Sequence, residues 1–185
     1  MILDALQCFT RDPVPANNPT GSFIQTVTAT AVSTNVLDYG VISGIPSSAA
    51  GGGARDMGVG HYELKLLVQT LGGFIGANTL TITIQGAPDN GSGAPGGYVD
   101  WWASPAYALA TLNTVGARLL EMDFPRPPAG VVVPRFVRLN FTASTAFTGT
   151  GGLQAFVLVD RDDAMYNSTN NAIMGGYAPG IVINN

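Results

Sequence analysis

Histidine is the side chain that most often supplies a base or a metal ligand near neutral pH, and this chain has one, His61. A histidine-based metal cage within one chain is excluded, because such cages need several imidazoles. A serine nucleophile would have to use His61, and no Gly-x-Ser-x-Gly elbow accompanies it. We expect His61, which follows Gly60 at the predicted start of a strand, to be a surface or capping residue.

Paired carboxylates can carry out acid and base catalysis, as they do in glycoside hydrolysis. Glu121 and Asp123 lie two positions apart on one predicted strand, so they share a face at a separation of about 7 Å. Alternate polar residues on a solvated strand face have the same spacing. The pair is therefore not specific to catalysis.

The run Asp160–Asp163 is the densest charge cluster and could offer oxygen ligands to Ca²⁺. It lacks the glycine and the distal glutamate of an EF-hand loop. We interpret it as a solvated strand end in which Arg161 offsets the repulsion. The sequence thus favours no enzyme, no cofactor and no metal site.

The composition of the 185-residue chain points to one domain that works inside an assembly. Apolar residues make up 46% of it, which suffices for a core, whereas charged residues make up only 11% and would protect a lone monomer poorly against association. Eight scattered basic residues and a net charge of −4 disfavour nucleic-acid binding, since phosphate recognition needs clustered lysine and arginine.

Cellular location and redox state follow from short segments. No apolar run is long enough to span a bilayer, and Met1–Asp4 lacks the features of a signal peptide, so we expect a cytoplasmic product with no membrane partner. Cys8, the one cysteine, is expected to be an ordinary small hydrophobe, with an interchain Cys8–Cys8 bridge as the alternative.

Alternation of apolar and polar residues predicts an all-β domain. Threonine, valine and glycine are abundant, whereas Lys65 is the only lysine, which disfavours helices. The predicted strands are Phe23–Val32 with a short continuation at Val36–Tyr39, Tyr62–Thr70, Thr79–Gln85, Tyr107–Thr111, Arg118–Phe124, Arg135–Thr142 and Leu153–Asp160. The segment Ala106–Leu112 also fits a short helix. Seven or eight strands at this spacing are typical of a β-sandwich.

Three parts of the chain differ in character. Residues 1–22 are predicted to form an extended arm, because the prolines and asparagines of Pro13–Gly21 cannot continue a helix or a central strand. Residues 23–163 form the predicted domain. Residues 164–185 form a polar, glycine-rich extension that contains the apolar triplet Ile181–Ile183. Such a triplet gains stability by docking on a neighbouring sheet edge or groove.

Five segments fall in the order seen in the jelly-roll capsid cement proteins of short-tailed bacteriophages, which the chain resembles over most of residues 1–163: Met1–Asp4, Thr26–Asp38, Arg55–Gly58, Arg135–Thr142 and Val157–Asp160. The resemblance implies a jelly-roll β-sandwich of about eight antiparallel strands with extended N- and C-terminal arms. It implies a homodimer or homotrimer that clamps neighbouring major capsid protein subunits on the outer surface of the virion, after synthesis in the host cytoplasm. It carries no catalytic residue or cofactor with it.

The chain departs from that pattern at Cys8–Gly21, at the Gly86–Pro105 loop and from Ala164 onwards. We expect these arms and loops to contact the shell or other subunits. The candidate partner contacts are Arg135, Arg138, Trp101, Trp102, Tyr177, Ile181, Val182 and Ile183. Arginines beside apolar residues suit contacts with acidic partners. Their simpler role is to keep a strand edge from pairing with the strands of other molecules.

Two other functions remain open. Jelly rolls also serve as lectins, and Trp101-Trp102 beside a long loop could stack on sugars, which makes a glycan-binding or host-adhesion module the main alternative. Large aromatics in such a place more often cover the end of a β-core. A β-sandwich hydrolase that uses Glu121, Asp123 or His61 is the weakest alternative, since neither geometry nor roles are indicated.

Overall fold

The computed structural model describes residues 8–11, 23–40, 64–125, 129–130 and 134–159. Within these ranges the chain forms nine strands and one short helix. In chain order they are β1 Gln25–Val27, β2 Ala31–Val32, β3 Leu37–Asp38, β4 Leu64–Gly72, β5 Leu80–Ala87, β6 Val99–Ala103, α1 Leu109–Leu112, β7 Arg118–Asp123, β8 Phe136–Ala143 and β9 Gly151–Val159. No helix of these described ranges is long and apolar enough to cross a membrane.

The strands form two antiparallel sheets. Sheet A has the order β1-β9-β4-β7, and sheet B has the order β2-β8-β5-β6, with β3 also paired to β8. Because β2 and β3 pair with successive parts of β8, they act as two halves of one interrupted strand. Eight strand positions in this order make the two-sheet arrangement of a jelly roll, which confirms the predicted fold.

The core lies between the two sheets and follows the predicted alternation. Leu66 and Val68 of β4 face Ile82 and Ile84 of β5, and all four side chains are buried. Burying each of these side chains contributes roughly 1.5–3 kcal/mol by removing apolar surface from water. Period-two patterning therefore identified the core faces of the long central strands correctly.

The predicted strand Phe23–Val32 is not continuous. It is divided into β1, which pairs with β9 in sheet A, and β2, which pairs with β8 in sheet B. Thr30 lies at the crossing, where its Oγ1 accepts a hydrogen bond from the Ala143 backbone N–H at 3.1 Å. Alternation along a sequence does not change when the chain passes from one sheet to the other, so the pattern could not reveal the break.

After the second glycine-rich loop the structure differs from the predicted strand and agrees with the alternative of a short helix within Ala106–Leu112. The expected strand Tyr107–Thr111 is instead an isolated bridge from Tyr107 to Leu80, followed by α1. Leu112 is the one buried residue of α1, and it anchors this turn of helix against the core. A four-residue helix offers too few positions for its period to be distinguished from that of a strand.

The described part of the predicted N-terminal arm, residues 8–11, packs on the sandwich. Phe9 donates its backbone N–H to Ala155 O at 2.9 Å, and Thr10 Oγ1 accepts the Ala155 N–H at 2.9 Å. The Phe9 side chain is fully buried in the main core. Cys8 lies on the other side of sheet A in a small buried cluster with Phe156, where burial raises the pKa of its thiol.

Candidate interaction surface

Arg135, one residue before β8, connects two distant parts of the chain at one end of sheet B. Its Nε and Nη2 donate to Asp38 Oδ1 and Oδ2 at 2.8 and 2.9 Å, and its Nη1 donates to Asp89 Oδ2. The hydrogen bonds from Arg135 hold the pKa of Asp38 below its ordinary value. The guanidinium also lies over the Phe136 ring, with its carbon 4.9 Å from the ring centroid. A planar fork that binds a carboxylate through two nitrogens fixes geometry better than a lysine would.

The loop at residues 88–97 is ordered by Asp89. Its Oδ1 accepts the backbone N–H groups of Gly91 at 2.7 Å and Gly93 at 3.0 Å, and these bonds, more than Arg135, hold its pKa below the ordinary value. Both glycines have positive φ, at 92° and 80°, a conformation that disfavours other residues. The predicted turn-rich excursion is therefore a compact turn that Arg135 fastens to the sheet.

Arg138 is held differently, on the outer face of sheet B. Its guanidinium lies over the Tyr98 ring at 3.6 Å from the centroid, and its Nε donates to Gln85 Oε1 at 2.8 Å. Cation–π stacking of this kind restrains the side chain. Neither terminal nitrogen of Arg138 has a hydrogen-bond partner within the described part of the chain. Arg138 thus presents an oriented set of donors.

Asp100 of β6 pairs with Gln85 on this face and accepts the Gln85 Nε2–H at 2.7 Å, so Arg138 and Asp100 flank the same glutamine. Beyond this row, toward Thr81 and Thr142, the described outer face of sheet B carries no ionised side chain. The register places these neutral residues beside one another on that face: Val32, Thr81, Thr83, Ala103, Asn140 and Thr142. This part of the face is consequently uncharged and mostly polar, whereas Arg138 and Asp100 lie in the row next to it.

Trp101 and Trp102 point toward the core. Ile84 pairs with Trp102 whereas Gln85 pairs with Asp100, so Trp101 is the extra residue of a β-bulge. Both indoles pack against the main core, and Trp101 lies across Gly86. The Trp101 Nε1 is buried and has no hydrogen-bond partner among the residues that the structure describes. This placement favours the core-covering role over a sugar-stacking platform.

Glu121 and Asp123, which the sequence offered only for the weakest alternative, a hydrolase, belong to ion pairs on sheet A. Glu121 Oε2 is 2.8 Å from Arg118 Nη1, and Asp123 Oδ1 is 2.8 Å from Lys65 Nζ. No group of three or more His, Cys, Asp or Glu residues that could hold a metal occurs among the residues that the structure describes. Several sequence-predicted residues lie outside the described ranges: His61, Asp160–Asp163, Tyr177, Ile181, Val182 and Ile183.

Sequence reasoning missed Asp38, Asp89 and Tyr98 as parts of this surface. The Asp89-Asn90-Gly91 stretch carries a turn signal, because aspartate readily accepts hydrogen bonds from backbone N–H groups two residues on. No signal in the sequence connects Asp38 or Asp89 with Arg135. Asp38, Asp89 and Arg135 meet only because β3, the 88–97 loop and the start of β8 converge in the fold.

The described sheet edges are poorly suited to pairing with another strand. β7 carries charged side chains and a register shift, and β6 carries the Trp101 bulge and ends just before Pro105. The remaining edge strands, β1, β2 and β3, are two or three residues long. Short, charged and bulged edges are how β-proteins avoid edge-to-edge association. Faces and loops are therefore the surfaces open to partners.

Comparison with known families gives a match that spans most of the sandwich. The family described as Bbp16 matches residues 22–157, which covers the chain from the start of β1 through nearly all of β9. Comparison with curated proteins returned no match. The matched region contains Arg135, Arg138 and the 88–97 loop. The chain belongs to the Bbp16 family of phage-related proteins.

Proposed function

We propose that the chain is a cement protein that binds the outer surface of a phage head and holds neighbouring major capsid protein subunits together. Membership of a phage-related family and a jelly-roll sandwich with guarded edges support this role. A protein that binds only the assembled shell stabilises it by mass action, because binding shifts the equilibrium away from separated subunits. The protein would be made in the host cytoplasm and added to the head there.

The arrangement of Arg138 carries the proposal. Tyr98 and Gln85 already restrain its side chain, so binding a partner would cost little further side-chain entropy. Arginine and tyrosine are enriched among the residues that dominate protein–protein binding energy. A carboxylate or carbonyl oxygen on the partner is the acceptor that the terminal guanidinium nitrogens suit best.

The neutral face beside Arg138 adds area without a large desolvation cost. Threonine and asparagine side chains such as Thr81, Thr142 and Asn140 can exchange water for hydrogen bonds with a partner. Ionised groups would lose more on leaving water unless they were paired. The surface thus fits a mostly uncharged protein partner that places an acidic or carbonyl group opposite Arg138 and away from Asp100.

Binding to heads that lack this protein tests the proposal. Purified wild-type chain, Arg138→Ala and the control Arg118→Ala would be co-sedimented with such heads over a range of concentrations. Arg118 is an exposed arginine on the other sheet, so its removal changes the net charge equally. We expect Arg138→Ala to weaken binding by at least about tenfold, as for an interface hot spot, and Arg118→Ala to leave it unchanged.

Two results would count against this account. Wild-type protein that fails to bind the heads at any concentration would overturn the cement role. Equal binding by wild type and Arg138→Ala would exclude the outer face of sheet B as the contact surface. Circular dichroism and thermal melts of each variant would establish that a loss of binding is not a loss of fold.

A further inference from the structure

Asp100 gives the outer face of sheet B a negative group that balances Arg138. Gln85 of β5 lies between them in the register, with Arg138 on β8 and Asp100 on β6. Since neighbouring strands lie about 4.8 Å apart, the backbones that carry the two charges are roughly 10 Å apart. We call Arg138, Gln85 and Asp100 the charged row; as a whole it has no net charge.

The side-chain amide of Gln85 hydrogen-bonds to both charged groups. Its Oε1 accepts from Arg138 Nε at 2.8 Å, and its Nε2 donates to Asp100 Oδ1 at 2.7 Å. A glutamine amide accepts hydrogen bonds at its oxygen and donates them at its nitrogen, so a cation on one side and an anion on the other suit one orientation of the amide. The charged row is therefore an ordered arrangement of three linked side chains.

Both charged groups keep hydrogen-bonding capacity that the described ranges leave unused. The terminal nitrogens of Arg138 remain as donors, because its printed bond to Gln85 uses Nε. At the other end of the charged row, Asp100 is exposed, and its Oδ2 accepts no hydrogen bond from the described residues. The charged row thus offers donors at one end and an acceptor at the other.

The rows on either side have no such capacity in ionised groups. On one side the register continues with the neutral Thr83 and Asn140. On the other side Arg135 binds both oxygens of Asp38 and also binds Asp89, so these charges are paired with one another. Within the described outer face of sheet B, Arg138 and Asp100 are therefore the charged groups that are available to a partner.

A partner that covers the charged row has to satisfy both of its ends. An ion that loses water at an interface without gaining a partner destabilises the complex. A uniformly acidic surface would bind Arg138 but would be repelled by Asp100, because like charges that are brought together at an interface oppose binding. Stable contact therefore requires a positive group opposite Asp100 as well as an acceptor opposite Arg138.

We propose that Asp100 determines the specificity of this surface by pairing with a lysine or arginine side chain of the capsid partner. The inference rests on the proposed function and adds to it the second half of the partner's chemistry. The partner carries a carboxylate opposite Arg138 and a basic side chain opposite Asp100, roughly 10 Å apart. The pair also fixes the orientation of the partner, since the reversed orientation places like charges together.

The variant Asp100→Asn tests this pairing in the head-binding measurement. The amide has nearly the same size and can still accept the hydrogen bond from Gln85, so the change removes the charge and keeps the charged row in place. The control, Asp123→Asn, removes an exposed carboxylate from sheet A. We expect Asp100→Asn to weaken binding at least about tenfold, because it leaves the basic group of the partner unpaired, and Asp123→Asn to leave binding unchanged.

A double variant distinguishes direct contact from positioning. If Asp100 acted only by orienting Gln85 and through it Arg138, its neutralisation would have no effect once Arg138 is alanine. We expect Asp100→Asn to weaken the binding of the Arg138→Ala protein by the same factor as that of wild type, within roughly twofold, since contacts at separate points are nearly additive. An effect that disappears in the Arg138→Ala background would overturn the inference.

Failure of this inference and failure of the cement role give different results. Wild-type protein that does not bind the heads would overturn both. Wild-type protein that binds, with Asp100→Asn binding equally well or more tightly, would overturn the Asp100 pairing alone. A wild-type chain that dimerises in solution through a contact that both Asp100→Asn and Arg138→Ala abolish would also overturn the pairing, and would assign the charged row to a second copy. Thermal melts of each variant would establish that the fold is kept.

Discussion

Arg135 binds both carboxylate oxygens of Asp38, at 2.8 and 2.9 Å, although the two residues are 97 positions apart in the sequence. The same guanidinium binds Asp89, which orders the 88–97 loop. One side chain therefore couples the interrupted edge strand β3, the start of β8 and a long loop. It positions the surface beside Arg138 without having to contact a partner itself.

Removing the Arg135 side chain should increase the mobility of the 88–97 loop more than that of the sandwich. In Arg135→Ala, Asp89 keeps its hydrogen bonds from Gly91 and Gly93 but loses its connection to the sheet. We expect faster amide hydrogen exchange and faster proteolysis at residues 90–94, with a small decrease in Tm. Arg135→Lys should show an intermediate effect, since a lysine keeps the charge but not the planar fork. Unchanged amide hydrogen exchange at residues 90–94 in Arg135→Ala would show that Arg135 does not hold the loop against the sheet.

The contribution of the Arg135–Asp38 pair to stability should also depend on pH, in a defined direction. The pKa of Asp38 in the folded protein lies below its ordinary value of 3.8, because Arg135 hydrogen-bonds its charged form. Its contribution to stability is therefore complete above about pH 5 and is lost as the pH falls through the folded-state pKa, below about 4. Urea unfolding of wild type and Asp38→Asn between pH 7 and pH 2.5 measures this. The difference in free energy of unfolding between wild type and Asp38→Asn should be constant above pH 5 and should narrow below pH 4. A difference that stays constant over the whole range would show that the Arg135–Asp38 pair does not link stability to pH.

Close packing between Gly86 and Trp101 should make position 86 intolerant of any side chain. A Cβ atom there would overlap the Trp101 indole, which packs against the core. We expect Gly86→Ala to destabilise the fold by about 1–3 kcal/mol, as overpacking does in well-packed cores. Gly97→Ala is the matched control, since no atom lies within 4 Å of a Cβ at that position. Equal free energies of unfolding for the two variants would show that the indole moves away at no cost.

The buried Phe9 predicts that the N-terminal segment belongs to the folding unit. Its side chain is inaccessible to solvent in the main core, and its backbone pairs with β9. Phe9→Ala should lower the free energy of unfolding by about 3–5 kcal/mol. Ile75→Ala, which truncates a side chain that is 60% exposed, should change it by less than about 0.5 kcal/mol. Similar stabilities for the two variants would place Phe9 outside the cooperative core.

The long central strands were predictable because burial on one face imposes a local pattern. Ile82 and Ile84 alternate with threonines, Leu66 and Val68 share a face between Lys65 and Gln69, and the structure buries all four. Leu67, between the latter two, is buried on the opposite face of sheet A with Cys8 and Phe156. Whether a strand belongs to one sheet or the other depends on long-range pairing, which is why the break at Thr30 was not predicted. The local pattern thus predicts which residues are buried, but it does not predict the sheet to which a strand belongs.

The candidate interaction surface was predictable only in part. Arg135 and Arg138 were recognised by their charge among apolar neighbours, but their different surroundings could not be distinguished. Asp38 pairs with the first and Tyr98 stacks on the second because of how loops fold over sheet B. The orientation of Trp101 depends on a bulge, which shifts strand register by one residue and has no sequence signature here.

Survival of phage heads with and without this protein tests the cement role most directly. Heads assembled in its absence would be compared with the same heads after the purified chain is added back, under heating and under osmotic shock. The proposed function predicts that added wild-type chain raises the inactivation temperature and the surviving fraction, and that Arg138→Ala does so less at the same concentration. Equal survival of decorated and undecorated heads would contradict it.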